Sequence, residues 1–160
     1  MLRAAGTHDV DFIYDFVISE ARKGHFSDAR PRLLKNFFFK RGLKKTIAGN
    51  VFRDITGKEL PAGFFIYEEN GQRAGFFSLI YRDDQITEIW LMGIIREGRG
   101  RGLGSQLLCL AENKARELYH PATMYFVRSY LRSESMISIL EKNGYEKEKS
   151  GSLLSGVWTK

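Results

Sequence analysis

The chain is poor in the residues that build special-purpose sites. Its 160 residues include one cysteine, Cys109, so no internal disulfide can close. Its three histidines, His8, His25 and His120, are scattered rather than grouped with other metal ligands, so no metal site is expected. With only three prolines and no low-complexity tract or internal repeat, the chain does not read as disordered or as a solenoid. No apolar run approaches the roughly 20 residues that cross a bilayer. The opening stretch from Met1 to Asp9 also lacks the apolar centre of a signal peptide, so a cytoplasmic protein without membrane contact is expected.

What is present suits one globular unit. The length and the 43% hydrophobic content fit a single domain over residues 1–160 with a substantial core. The net charge of +6 favours anionic partners, of which a cofactor's phosphates are one and nucleic acid another. Part of the excess lies in Lys40-Arg41-Gly42-Leu43-Lys44-Lys45, which reads as a solvated loop or helix end.

Pattern and turn signals order the chain. Leu2 to Ala5 reads as a strand, and Thr7 as the cap of a helix carrying Ile13, Phe16, Val17, Glu20 and Ala21. A second helix, about Pro31 to Lys40, places Leu33, Leu34, Phe37 and Phe38 on a core-facing side, with Pro31 in its first turn. Gly42 to Pro61 reads as irregular. Gly63 to Glu68 and Ala74 to Tyr81 are strands flanking Asn70-Gly71, a pair that accepts the positive φ angles of a tight hairpin. Ile86 to Ile95, almost continuously apolar after Glu88, reads as a central strand. A helix carrying Leu103, Leu107, Leu110, Ala111 and Leu118 follows, with Cys109 on it as a small buried thiol. Thr123 to Val127 is the next strand. Ser133 caps a helix that stops at Asn143-Gly144, and Tyr145 to Lys147 and Leu153 to Trp158 form a closing hairpin. The order β-α-α-β-β-β-α-β-α-β-β predicts an α/β fold with a mixed, mostly antiparallel central sheet flanked by helices.

Between the central strand and the long helix lies Arg99-Gly100-Arg101-Gly102-Leu103-Gly104-Ser105. Alternating glycines there permit backbone angles that turn several N–H groups toward one point, and the helix start adds unpaired amides and partial positive charge. This is phosphate-binding geometry, reinforced by Arg99 and Arg101. A dinucleotide motif starting at Gly100 fails at Ser105, no acidic residue for a ribose ends the next strand, and no Lys-Ser/Thr follows the glycines. A three-strand meander also precedes the run, unlike a Rossmann unit.

These residues resemble the GNAT superfamily of acyl-coenzyme A dependent N-acetyltransferases. The likeness centres on the R/Q-x-x-G-x-G/A signature, met by Arg99, Gly102 and Gly104, and on Glu141-Lys142-Asn143-Gly144-Tyr145. It implies a direct transfer from acetyl-CoA to an amine of a small molecule or protein, without an acyl-enzyme. It places the pyrophosphate on the amides from Arg99 to Gly104, through Gly100, Arg101, Gly102 and Leu103, with a hydroxyl from Ser105. The main chain of Met92 would pair with the pantetheine amides, and Ile94 N–H would donate to the thioester oxygen as charge develops there. Glu88, eleven residues before Arg99, matches the catalytic glutamate of some members, with Ile89 and Trp90 reducing its hydration. The usual acid, a tyrosine four residues before the late glycine, is here Leu140, so Tyr130 is the substitute candidate. Ser133, where the family often has asparagine, is a candidate for the pantetheine or its thiol. Arg82-Asp83-Asp84-Gln85 with Glu88 makes an acidic spot that would attract a cationic amine. The other readings are a toxin-like acetyltransferase acting on aminoacyl-tRNA, for which the basic balance speaks without making nucleic acid the favoured partner, and a non-catalytic acetyl-CoA sensor or interaction module, for which Leu140 speaks. Either a monomer or a homodimer is compatible with the sequence.

Overall fold

The computed structural model describes residues 1–26, 33–82, 85–119, 124–130, 132–149 and 155–160. Its elements run β1 (Leu2–Ala4), α1 (Val10–Arg22), α2 (Leu33–Gly49), β2 (Val51–Arg53), β3 (Glu59–Glu69), β4 (Gln72–Tyr81), β5 (Ile86–Ile94), α3 (Leu103–Leu118), β6 (Met124–Tyr130), α4 (Glu134–Lys142), β7 (Glu146–Lys147) and β8 (Ser155–Thr159). The strands lie in the order β1-β3-β4-β5-β6-β8-β7, with β2 on β3, and among the described residues only β5 and β6 pair in parallel. The mixed, mostly antiparallel sheet flanked by helices is therefore present. The expectations on Pro31, Asp83, Asp84, His120, Thr123, Leu153 and the side chains of Leu33 and Leu34 lie outside the described residues.

The aromatic runs of β3 and β4 explain the layering. Alternation sends Phe65, Phe77 and Leu79 to one face, where they meet Leu107, Leu108, Ala111 and Ala115 of α3 and Leu140 of α4. It sends Phe64, Ile66 and Phe76 to the other, against Val10, Ile13 and Val17 of α1 and Leu43 and Ile47 of α2. Strands covered on both sides need apolar residues at every position, which is why these segments read as continuous rather than alternating. The hairpin at Asn70-Gly71 forms as expected, both residues at positive φ (53° and 74°).

Several expectations are corrected by packing. The second helix runs on through Gly42 to Gly49, because Phe39, Leu43 and Ile47, four apart, form the stripe that docks on α1 and the sheet. Phe37 and Phe38 stand instead on the solvent side, 63% and 65% exposed and edge-on to each other. The stretch taken as irregular also supplies the extra strand β2. Cys109 is exposed, as is Leu118.

Thr7 does not cap α1. The chain enters through a single 3-10 turn, Thr7–Asp9, after Gly6, and Asp9 organises the corner. This fully buried carboxylate accepts from Arg3 Nη1 and Nη2 (2.7 and 3.0 Å) and Gly6 N–H (2.9 Å), with Arg73 Nε at 2.9 Å and His8 Nε2 at 3.2 Å. Burial alone would raise its pKa, yet the Arg3 and Gly6 hydrogen bonds prevail and hold it at about 2. A carboxylate depressed in the folded state contributes fully at neutral pH and loses that contribution as pH falls through the folded value. Asp9→Asn should lower the unfolding free energy by about 3 kcal/mol at pH 7. In urea titrations from pH 7 to pH 2, the gap to the wild type should narrow at the acid end.

Candidate active site

The central opening arises where β5 and β6 part. Their pairing covers four positions, Ile86↔Met124 through Ile89↔Val127, and stops there. The cause lies on the other side of β5. Against β4, Ser78 pairs with Leu91 but Leu79 pairs with Ile89, so Trp90 is an extra, bulged residue. The fully buried Ser78 hydroxyl accepts the Leu91 N–H at 3.0 Å and so satisfies the amide the bulge displaces. Beyond the bulge β5 follows β4 and leaves β6.

Backbone direction then fixes what faces the opening. Ile95 N–H donates to Ala74 O at 3.0 Å, so alternation along the antiparallel ladder turns the N–H and C=O groups of Met92 and Ile94 away from β4. A cavity of about 680 Å³ lies there, bordered by Met92, Ile94, Arg99, Gly100, Gly102, Leu103, Gly104, Ser105 and Ser133. Gly102 stands at the N-cap of α3 with φ of 78°, and Gly100 has φ of 76°. A Cβ on either would meet nothing within 4 Å, so the backbone angle, not space, calls for glycine. The first helical bond of α3 is Gln106 N–H to Gly102 O, which leaves the amides of Leu103, Gly104 and Ser105 without helical partners. No acidic side chain lies in that first turn. At Gly104 a Cβ would sit 2.5 Å from Ile139 Cδ1, so this glycine lets α3 and α4 close up.

The two motif arginines are already engaged. Arg101 lies outside the cavity lining and grips Glu69 of β3 with two bonds of 2.9 Å. Arg99 lines the cavity, donating from Nε to Ile94 O (3.2 Å) and pairing through Nη2 with Glu20 Oε1 (2.9 Å). Glu20, read from sequence only as part of a helix face, is a buried hub. It also holds Lys23 Nζ (2.6 Å) and His25 Nδ1 (2.9 Å). Burial would raise its carboxyl, but hydrogen bonds from Lys23 and Arg99 outweigh that and keep it below the usual carboxylate range. The carboxylate partner of His25 lies five positions back on α1, and that of His8 is the adjacent Asp9. Ser133 precedes α4 without capping it. Its hydroxyl donates to the His25 carbonyl at 3.0 Å and ties the end of α1 to the start of α4.

Glu88 and Tyr130 are brought together, but in a second cavity of about 380 Å³. On the same sheet face, Glu88 and Trp90 of β5 neighbour Arg128 and Tyr130 of β6, with Phe26, Phe52, Asp54 and Arg82 completing the walls. Glu88 is 2% exposed and bonded by Arg82 through Nε at 2.7 Å and through Nη2. Phe26, Trp90 and Arg128 line both cavities and so mark where they meet. Leu140 is fully buried in the core. Among the described residues no cluster of three His, Cys, Asp or Glu is placed to hold a metal, and no helix is long and apolar enough to cross a membrane.

The fold is shared with solved N-acetyltransferases. PaiA N-acetyltransferase of Thermoplasma acidophilum, solved in complex with coenzyme A, superposes with a TM-score of 0.71 over 100% of this chain and 97% of that one, at 12% identity. A spermidine N-acetyltransferase variant of Vibrio cholerae gives 0.69 over 99% and 93%, at 14% identity. The chain belongs to the acetyltransferase (GNAT) family, whose profile matches residues 28–145. Mycothiol acetyltransferase of Streptomyces griseus is 24% identical over 86 residues, 53% of this chain, and the match spans only 27% of that protein's length.

The Glu20 hub can be tested directly. Glu20→Gln strips the charge from a buried group bonded to Lys23, His25 and Arg99 and should cost about 3 kcal/mol in chemical denaturation. Lys23→Ala removes a half-exposed partner and should cost under about 1 kcal/mol.

Proposed function

We propose that residues 1–160 form one N-acetyltransferase domain that binds acetyl-CoA in the β5–β6 fork and passes the acetyl group to an amine within a ternary complex. One observation carries the reading. The outward-turned main chain of Met92 and Ile94 leads along the fork directly into the glycine turn at the start of α3. Acetyl-CoA supplies an acyl group activated as a thioester. The amides from Arg99 to Ser105 are suited to the pyrophosphate, the Met92 main chain to the pantetheine amides, and Ile94 N–H to the thioester oxygen. Arg99 orients the turn through Glu20 and Ile94 O, and Arg101 anchors it from outside through Glu69. Ser133 holds the opposite rim.

On the acceptor side, Glu88 takes the proton that the attacking amine must lose, and the Tyr130 hydroxyl supplies one to the departing sulfur. Small-molecule amines are the favoured acceptors, in keeping with the spermidine named for the Vibrio neighbour. The buried Leu140 favours one second reading, a domain that binds the coenzyme without turning it over.

Calorimetry with acetyl-CoA should show saturable binding, and Gly102→Glu, which puts a negative side chain into the turn, should weaken it at least about 100-fold. Thiol release with an amine panel should then exceed release without amine. Glu88→Gln should lose about 100-fold in kcat/KM while binding coenzyme as the wild type does. Full activity in Glu88→Gln would remove that residue from the mechanism, and binding without any thiol release would favour the non-catalytic domain.

A further inference from the structure

The second cavity carries a charge pattern that specifies its occupant. Arg82 is paired with Glu88, Arg99 with Glu20 and Arg101 with Glu69. Among the described residues no carboxylate pairs with Arg128, whose guanidinium lies over the Phe126 ring, 5.8 Å from its centre. Arg128 is one position past Val127, the last β6 residue paired with β5, and it borders both cavities. An unpaired cation therefore stands where the acyl group and the acceptor must meet. Beside the charged residues Asp54, Arg82 and Glu88, the cavity wall carries an apolar and aromatic patch. Phe52 and Trp90 lie 4.8 Å apart, with Phe26, Ile55 and Leu91 beside them.

From this we propose that the acceptor is an α-amino acid with a large apolar or aromatic side chain, its carboxylate bound by Arg128. The inference rests on the acetyl-transfer reading. A guanidinium presents paired N–H donors that match a carboxylate's two oxygens. Arg128 stands at the transfer point itself, so the carboxylate it binds must lie close to the nucleophilic nitrogen. In an α-amino acid the two groups share one carbon. The side chain then packs against the contacting pair Phe52 and Trp90 and against Phe26. Glu88, across the fork on the same sheet face, faces the ammonium group. In the transfer the nitrogen forms its bond to the acyl carbon as the carbon–sulfur bond breaks. The ammonium loses two protons, one of which ends on the coenzyme sulfur and the other in solvent.

Phenylalanine and 2-phenylethylamine share an amine and a ring and differ in the carboxylate. Titrated into the protein saturated with coenzyme A, phenylalanine should bind at least about tenfold more tightly, and kcat/KM with acetyl-CoA should show the same preference. With each protein saturated with coenzyme A, Arg128→Gln should bring the two ligands within about twofold, and Arg128→Lys, keeping charge without the paired donors, should fall between. Equal binding of the two ligands, no binding of either, or a preference that survives Arg128→Gln would overturn the assignment. With coenzyme bound, those results leave acetyl transfer standing. Absence of coenzyme binding would remove both readings.

Discussion

Four pairs of parallel hydrogen-bonded residues hold β5 to β6, and the end of that pairing is the constraint from which the rest of the site follows. Main-chain N–H and C=O groups inside a protein require partners, so a sheet that splits must either fill the split or present it to something else. Here the bulge at Trp90 diverts β5, the Ser78 hydroxyl satisfies the amide the bulge displaces, and the amides of Met92 and Ile94 are left facing a cavity. The glycine turn continues the same line of donors into the start of α3. A bound coenzyme would complete a hydrogen-bonding surface that the sheet leaves unfinished.

Electrostatics reinforce that geometry indirectly. The positive charge of the motif suggested that Arg99 and Arg101 would meet phosphate themselves, but each is committed to a glutamate, one on α1 and the other on β3. Charge-assisted bonds of this kind fix the turn from two sides, and the proposed anion-binding role falls to its backbone amides. The same economy governs Asp9, where one buried carboxylate gathers Arg3, Arg73 and the Gly6 amide and locks the entry to α1.

The order of the main elements, the hairpin, the long helix and the glycine turn were legible because each rests on local physics. Continuous apolar runs report burial on both faces, Asn70-Gly71 reports positive φ, and alternating glycines report a turn that bares its amides. The second helix was misjudged for an equally physical reason. Phe37 and Phe38 look like core residues by composition, yet only the docking of α1 decides that Phe39, Leu43 and Ile47 form the buried stripe. A glycine at 42 then breaks nothing, since packing outweighs its weak helix propensity. Glu20 carried no sequence signal beyond being a charge among apolar neighbours on a helix face, and Ser78 only that of a hydroxyl inside an aromatic strand.

The sequence alone determined the class of fold, the place of the glycine turn before α3 and the family resemblance, because these depend on residue type and spacing within a few turns of chain. It also proposed Glu88 and Tyr130, which share a cavity although they lie 42 positions apart. Only the tertiary structure decided which charges are spent and which are available. Pairings such as Glu20 with Arg99, Arg82 with Glu88 and Ser133 with the His25 carbonyl depend on how helices dock and where strands diverge, and no local pattern encodes those distances.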